Sequence, residues 1–283
     1  MVIAHTIGGL GNQLFQYAAA RSIAERFQVP VKLDVSAFSA YKLRDFDLDK
    51  FNVHFDRATE AEIALLKPGG NLAKALQYLR PKPKRTYHRE RSYRYDKSFA
   101  HIGPDVYIKG YFQSEKYFLP IASLLRKEFT IKEDYVKSVQ DLGQELRQPG
   151  SVAIHIRRGD YTDPEILRVH GILPVEYYKS AIAYIRDRVP SSRFYFFSND
   201  MEWTKQHFPL ESAVYVSGLR TKDHFEDFYL MSQCHHNIIA NSSYSWWTAW
   251  LNNHPDKIVI APKNWFTEKK NNYDRTPDSW LRM

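Results

Sequence analysis

The sequence holds a single cysteine, Cys234, so no disulfide can close within the chain. That usage fits a reducing compartment. No run approaches the ~18 consecutive apolar residues that a membrane span needs. The opening Met1-Val2-Ile3-Ala4-His5-Thr6-Ile7-Gly8 has no basic region ahead of an apolar stretch, so no signal peptide is expected. The expectation is a soluble, cytoplasmic protein, at most held peripherally at the inner face of a membrane. Internal repeats and low-complexity tracts are also lacking. So are two familiar phosphate loops. A dinucleotide fingerprint would need glycine where Leu14 stands, and a P-loop would need Gly-Lys and a hydroxyl residue where Asn12-Gln13 stand.

What is present fits a folded enzyme-sized chain. Hydrophobic residues make up 43% and charged residues 25% of 283 residues, enough for one large domain or two modest ones. Aromatics reach 15%. Flat rings suit sugar faces, and they equally fill cores. The formal charge of +8 favours an anionic partner: nucleic acid, acidic lipid or a phosphorylated substrate. Much of it lies in residues 80–97. Arg80, Lys82, Lys84, Arg85, Arg89, Arg91, Arg94 and Lys97 are opposed there only by Glu90 and Asp96. With Pro81 and Pro83 the stretch reads as an exposed basic loop, either simply solvated or facing an anionic membrane. No nucleic-acid motif appears, and no nucleic-acid partner is expected.

The pattern along the chain is α/β. Val2 to Ile7 reads as a strand, Gly8-Gly9-Leu10-Gly11-Asn12 as a tight turn, Gln13 to Phe27 as a helix and Val29 to Leu33 as a strand. After the break at Gln148-Pro149-Gly150, strands are expected at Ser151 to Ile156, Phe194 to Phe197, Asn237 to Ala240 and Lys257 to Ala261. Helices are expected at Pro174 to Arg188, Phe225 to Cys234 and Ser245 to Leu251. Two such halves imply a cleft, with ligands at the carboxyl ends of strands.

Several motifs fall at those ends. His155-Ile156-Arg157-Arg158-Gly159-Asp160 follows the strongest strand. Guanidinium groups placed there can hold phosphate oxygens in bidentate fashion and stabilise a departing diphosphate. Asp160 can pin one of them, and the bland alternative is a structural Arg–Asp pair. In Asn241-Ser242-Ser243-Tyr244-Ser245-Trp246-Trp247, hydroxyls and helix-start N–H groups can bind an anion, or Ser243 or Ser245 can simply cap the helix. Asp45-Phe46-Asp47 resembles a metal-binding Asp-x-Asp, but its alternation of acidic and apolar residues suits a half-buried edge, and no metal site is expected. His235-His236 lacks metal-ligand spacing and reads as structural or surface.

As an ordered set, Gly8 to Ala18, Gly110-Tyr111-Phe112-Gln113-Ser114-Glu115, His155 to Asp160, Asn241 to Trp247 and Ile260 to Phe266 resemble glycosyltransferase family 11, the α-1,2-fucosyltransferases. The resemblance implies a GT-B architecture, two Rossmann-like domains facing a central cleft. Residues 1–148 would form the acceptor-side domain and 149–283 the GDP-fucose-binding domain. It implies inverting, metal-independent transfer of L-fucose from GDP-fucose to the 2-OH of a galactoside-containing acceptor, free or lipid-linked, with no cofactor. By the same resemblance Arg157 binds the β-phosphate, with Arg158 and Asp160 beside it in the motif. His155 lies near guanine or ribose, Asp227 reads the guanine edge, and Ser242 and Ser243 form the phosphate-binding turn. Gly9 and Gly11 count as donor-binding glycines of the N-terminal turn, and Asn12 in the same turn faces the reacting centre in a catalytic role. Asp34 and Glu115 are candidate general bases, fixed by no motif. The alternatives are a metal-dependent transferase using Asp45 and Asp47, and a non-catalytic carbohydrate- or nucleic-acid-binding protein.

Overall fold

In the computed structural model, strands that run parallel throughout form two separate sheets. The structure describes residues 1–40, 44–77, 79–159, 164–211, 213–267 and 273–283. Two compact units emerge: residues 1–130 with 273–277, and residues 131–272 with 278–283.

The first unit is built on β1 (Val2–His5), β2 (Val31–Asp34), β3 (Asp56–Arg57), β4 (Tyr87–Arg89) and β5 (Val106–Lys109), in the spatial order β3-β2-β1-β5-β4. β1 pairs in parallel with β2 on one side and β5 on the other. Parallel strands covered on both faces call for continuous apolar residues, and Val2, Ile3, Val106, Tyr107 and Ile108 are all buried. Helix α1 (Leu10–Phe27) links β1 to β2. It begins three residues earlier than the apolar spacing predicts. Gly9 caps it, so Gly11 and Asn12 lie in its first turn rather than in the preceding loop. The helix buries residues around most of its circumference, including Ala18, Ala19 and Ala20, whose small side chains permit close packing. It ends at Gln28, in the left-handed conformation with φ 53°. The short helices α2 (Glu60–Leu66), α3 (Gly70–Gln77) and α4 (Ala122–Glu128) complete the unit. Thr59 and Glu62 close a reciprocal capping box on α2.

The second unit contains α5 (Gln140–Leu146) and then β6 (Ser151–Ile156), which opens directly after the Gln148–Gly150 break. α6 (Pro164–His170), α7 (Val175–Arg188), β7 (Arg193–Ser198), α8 (Met201–His207) and β8 (Ala213–Tyr215) run in one direction from it. α9 (His224–Gln233), β9 (His236–Ile238), α10 (Ser243–Leu251), β10 (Val259–Ala261) and β11 (Leu281–Arg282) run in the other. The strand order is β11-β10-β9-β6-β7-β8. Numbered from β6, this is 6-5-4-1-2-3, the doubly wound order of nucleotide-binding sheets. One core lies under α7, with Ile154, Ile156, Tyr178, Ile182, Ile185, Phe194 and Phe196, and another joins β6 and β7 to α9 through Ala153, Tyr195, Phe197, Leu230 and Met231.

The structure corrects one local reading and decides two that the sequence left open. The stretch 80–97 is not all loop: Tyr87–Arg89 forms β4, where Tyr87 is buried and pairs opposite Tyr107. The aromatics are largely core residues, since Trp246, Trp247, Trp250, Trp265 and Trp280 are buried. His235 and His236 are structural. His235 Nε2 lies 2.9 Å from an Asp256 carboxylate oxygen, and His236 Nδ1 accepts from the Ile258 N–H at 3.0 Å. Among the described residues no helix is long and apolar enough to cross a membrane.

Candidate active site

Each sheet has one place where the chain reverses its direction of travel, and the sequence motifs gather at these two places. In the first sheet the reversal lies between β1 and β5, and the segments leaving those strands are Gly8–Asn12 and Gly110–Glu115. In the second it lies between β6 and β9, followed by His155–Asp160 and Asn241–Trp247. Such switch points open a crevice at the carboxyl ends of parallel strands, which makes them the default ligand sites of α/β sheets.

At the first switch point, Gly8 takes φ +89° and leaves no room for a side chain: a Cβ there would come 2.8 Å from Asn12 Nδ2. Gly9, in ordinary extended backbone, carries no such demand. Gln13 clamps the turn. Its amide donates to the Gly8 and Asp45 carbonyls, each at 2.8 Å, and its carbonyl accepts from the Asp47 N–H at 2.8 Å. The Asp45–Asp47 segment is thus tied down by its backbone. Gln113 Nε2 donates to Asn12 Oδ1 at 2.7 Å, so the two motifs touch. The Gln113 turn is itself held by Glu90. That carboxylate accepts from the N–H groups of Tyr111 and Phe112, both 2.9 Å, and from the Tyr117 hydroxyl at 3.0 Å. Phe112 sits at φ 51°, unusual for a bulky residue, and the two backbone donors aimed at Glu90 hold it there. Burial pushes the Glu90 carboxyl above its ordinary range despite these donors.

Asp34, a candidate base, is buried at the end of β2. Burial alone would raise its pKa, but Ser36 Oγ and Tyr107 Oη each donate at 2.6 Å and hold it below the ordinary value. Glu115 begins a 3-10 turn after Ser114 and is half-buried.

At the second switch point, β6 delivers His155 buried and Arg157 half-buried. The following loop is fastened to the end of β7. Asn199 Oδ1 accepts from the N–H groups of Arg158 at 2.9 Å and Gly159 at 3.1 Å. The Arg158 guanidinium meets Asp200 at 3.3 Å and stacks 4.0 Å over the Trp203 ring. Asp200 thus supplies an acidic partner in this loop, and Asp160 lies outside the described residues. A Cβ on Gly159 would meet Asn199 Nδ2 at 2.6 Å, which explains the glycine.

Asp227, on α9, has both carboxylate oxygens engaged. Ser217 Oγ and Thr221 Oγ1 each donate at 2.6 Å. Burial nevertheless pushes its pKa above the ordinary range. Ser217 Oγ also accepts from the Ser198 N–H at 3.0 Å, so the network runs back to β7. α10 is capped by Ser242, whose Oγ accepts from the Tyr244 N–H at 3.3 Å, rather than by Ser243 or Ser245. Ser243 opens the helix and Ser245 is buried within it. Tyr244 joins the parts: its hydroxyl donates to the His224 carbonyl, and its ring lies 5.6 Å from His155 and 5.3 Å from Phe228. Within this unit the structure therefore brings His155, Arg157, Ser242 and Ser243 to adjoining strand ends, with Arg158 anchored and Asp227 on the neighbouring helix. Sequence reasoning missed Asn199, Asp200, Ser217 and Thr221. Ser198-Asn199-Asp200 stood at a legible strand end, but nothing local marked its partners.

A doubly wound sheet with paired arginines at its switch point defines a nucleotide-handling α/β protein. The glycosyl transferase family 11 model matches residues 78–281, and the chain belongs to that family; it is a glycosyltransferase. It is 34% identical to the alpha-1,2-colitosyltransferase of Escherichia coli over 291 residues, covering 100% of this chain and 99% of that one. It is also 34% identical to the O-antigen biosynthesis glycosyltransferase WbnK of Escherichia coli, covering 98% of each. Galactoside alpha-(1,2)-fucosyltransferase 1 of Gorilla gorilla gorilla matches at 27% over 164 residues, 54% of this chain and 45% of that protein. In fold, the chain resembles a mutant of Arabidopsis thaliana FUT1 in complex with GDP, with TM-score 0.54 and 13% identity over 94% of this chain and 71% of that one. POFUT1 in complex with GDP follows at TM-score 0.50, with 11% identity over 92% and 97%. The expected GT-B-type class, α/β with two parallel-sheet domains, agrees with these.

Proposed function

We propose that the protein transfers L-fucose from GDP-fucose to the 2-OH of a terminal β-galactose unit, with inversion and without a metal. The observation that carries this reading is the anchored arginine loop at the β6–β9 switch point, opposite the capped start of α10. Arg157 stabilises the diphosphate as negative charge grows on it, an interaction stronger in the transition state than in the ground state. Arg158, oriented by Asp200 and Trp203, adds positive potential. Ser242, Ser243 and the first turn of α10 receive phosphate oxygens. His155 lies toward the ribose or base. Asp227 accepts from guanine N1 and N2, which adenine cannot satisfy. The first domain serves the acceptor and the second the donor; Gly9 and Gly11 are taken as donor-binding and Asn12 as catalytic. Asp34, held ionised by its donors, is a weak base at neutral pH. The reading therefore rests on leaving-group stabilisation rather than on strong base catalysis.

The activities for which the relatives are named support α-1,2 transfer and leave two donors to separate. The full-length likeness to a colitosyltransferase favours a second reading in which colitose replaces fucose. Purified protein is incubated in EDTA with a β-galactoside and either GDP-fucose or the nucleotide-activated colitose. An α-1,2-fucosylated product by linkage analysis is expected. Turnover of the colitosyl donor alone establishes the second reading, and activity only after divalent metal is restored contradicts the metal-free mechanism.

A further inference from the structure

Helix α3 (Gly70–Gln77) turns its apolar side outward. Leu72 is 76% exposed and Leu76 52% exposed, and Leu79, just past the helix, is 82% exposed. A step of four residues puts Leu72 and Leu76 on one face of the helix. Leu65, at the end of α2, adds another leucine at 72%. On the inner side Gln77 is buried and Lys74 half-buried. An ordinary surface helix points its leucines to the core and its polar residues to water.

The basic stretch follows directly on this helix. The Arg80 N–H donates to the Gln77 carbonyl at 3.2 Å, the Thr86 N–H donates to Gln77 Oε1 at 3.2 Å, and Arg85 Nε donates to the Arg80 carbonyl at 2.9 Å. Both acids of residues 80–97 are used internally. Glu90 holds the Tyr111–Phe112 turn, and Asp96 accepts from the Ser98 N–H at 2.8 Å. Six cations of the stretch, Arg80, Lys84, Arg89, Arg91, Arg94 and Lys97, are exposed, against two acids in it. Around β4 a hollow of about 400 Å³ is lined by Arg85, Arg89, Arg91, Arg94 and Lys97 together with Glu90 and Asp96.

We propose that this face of the first unit docks on an anionic bilayer surface. Leucines at the headgroup boundary and cations on lipid phosphates are the two components of interfacial binding. The combination selects a membrane over the other occupants. A nucleic acid has no use for a leucine row, and an apolar protein groove has none for a crowded run of cations. The two components also predict a specific salt response. High salt screens the cation contribution and leaves the leucine contribution.

The test is flotation of the full chain with vesicles of phosphatidylglycerol and phosphatidylethanolamine, against vesicles of phosphatidylcholine. One variant carries Leu72→Ser, Leu76→Ser and Leu79→Ser. Another carries Arg80→Gln, Lys82→Gln, Lys84→Gln and Arg91→Gln. These positions are exposed except Lys82, which is half-buried, and circular dichroism melting checks that both variants fold. Binding to the anionic vesicles only is expected, reduced roughly tenfold or more in the glutamine variant. The serine variant is expected to lose the fraction that resists high salt. Absence of binding by the wild type, or binding undiminished from wild type in both variants, overturns the proposal. So does a concentration-dependent dimer abolished by the serine substitutions, which would make the leucine row an interface between copies.

Discussion

Asn199 fixes the backbone of the arginine loop through one side-chain oxygen that accepts from both Arg158 and Gly159. Replacing Gly159 with alanine drives a methyl into that amide. We expect Gly159→Ala to lower kcat/KM roughly 10- to 100-fold, because small displacements of positioned groups are costly in rate. The melting temperature should shift little. Steady-state kinetics beside thermal melting checks this, and an unchanged kcat/KM would show that the loop needs no such positioning. Asp227 provides a second test at this scale. Asp227→Asn keeps the shape but presents a donor in place of one acceptor, and should weaken GDP by about 2 kcal/mol, roughly 30-fold. Calorimetric titration giving equal affinity would remove Asp227 from guanine recognition. The arginines, His155 and the serines were legible because they stand in a row after a strand. Asn199, Asp200, Ser217 and Thr221 were not, because each acts through a partner distant in sequence.

Glu90 lies within the most basic stretch of the chain yet serves the turn after β5, and so links two elements that the sequence keeps apart. Truncation to alanine strands two backbone N–H groups and the Tyr117 hydroxyl. Glu90→Ala should cost about 2–3 kcal/mol and loosen the Gln113–Asn12 contact. Glu90→Gln separates charge from shape. The folded pKa lies above the ordinary glutamate value of 4.5. The carboxyl's stabilising contribution is therefore complete below that value and is lost as pH rises through the folded pKa. Urea unfolding across this window should show wild type losing stability relative to Glu90→Gln as pH increases. A difference independent of pH would contradict the raised pKa. Element by element, the buried strands β6 and β7 were readable from their continuous apolar runs. β3, β4 and β11 span two or three residues and carry no period to read. β4 was further hidden because its Tyr87-His88-Arg89 pairing depends on Tyr107, which lies twenty residues further on. The start of α1 was set by Gly9 as its cap, a position at which glycine also reads as loop.

At the scale of the whole molecule, the α/β class followed from alternating strands and helices, but the strand orders did not. Those orders place four separate motifs at two switch points, and they give the ordered motif set a physical meaning. The division of labour proposed for the two units leads to one central claim: Arg157 contributes to the transition state more than to donor binding. The most direct test compares kcat and GDP affinity for wild type and Arg157→Ala, with GDP-fucose and a β-galactoside in EDTA. The account predicts a fall in kcat of roughly 10³-fold, about 4 kcal/mol of lost transition-state stabilisation, with GDP affinity reduced far less. A variant that keeps kcat and loses only affinity would contradict it, and would make Arg157 a binding residue alone.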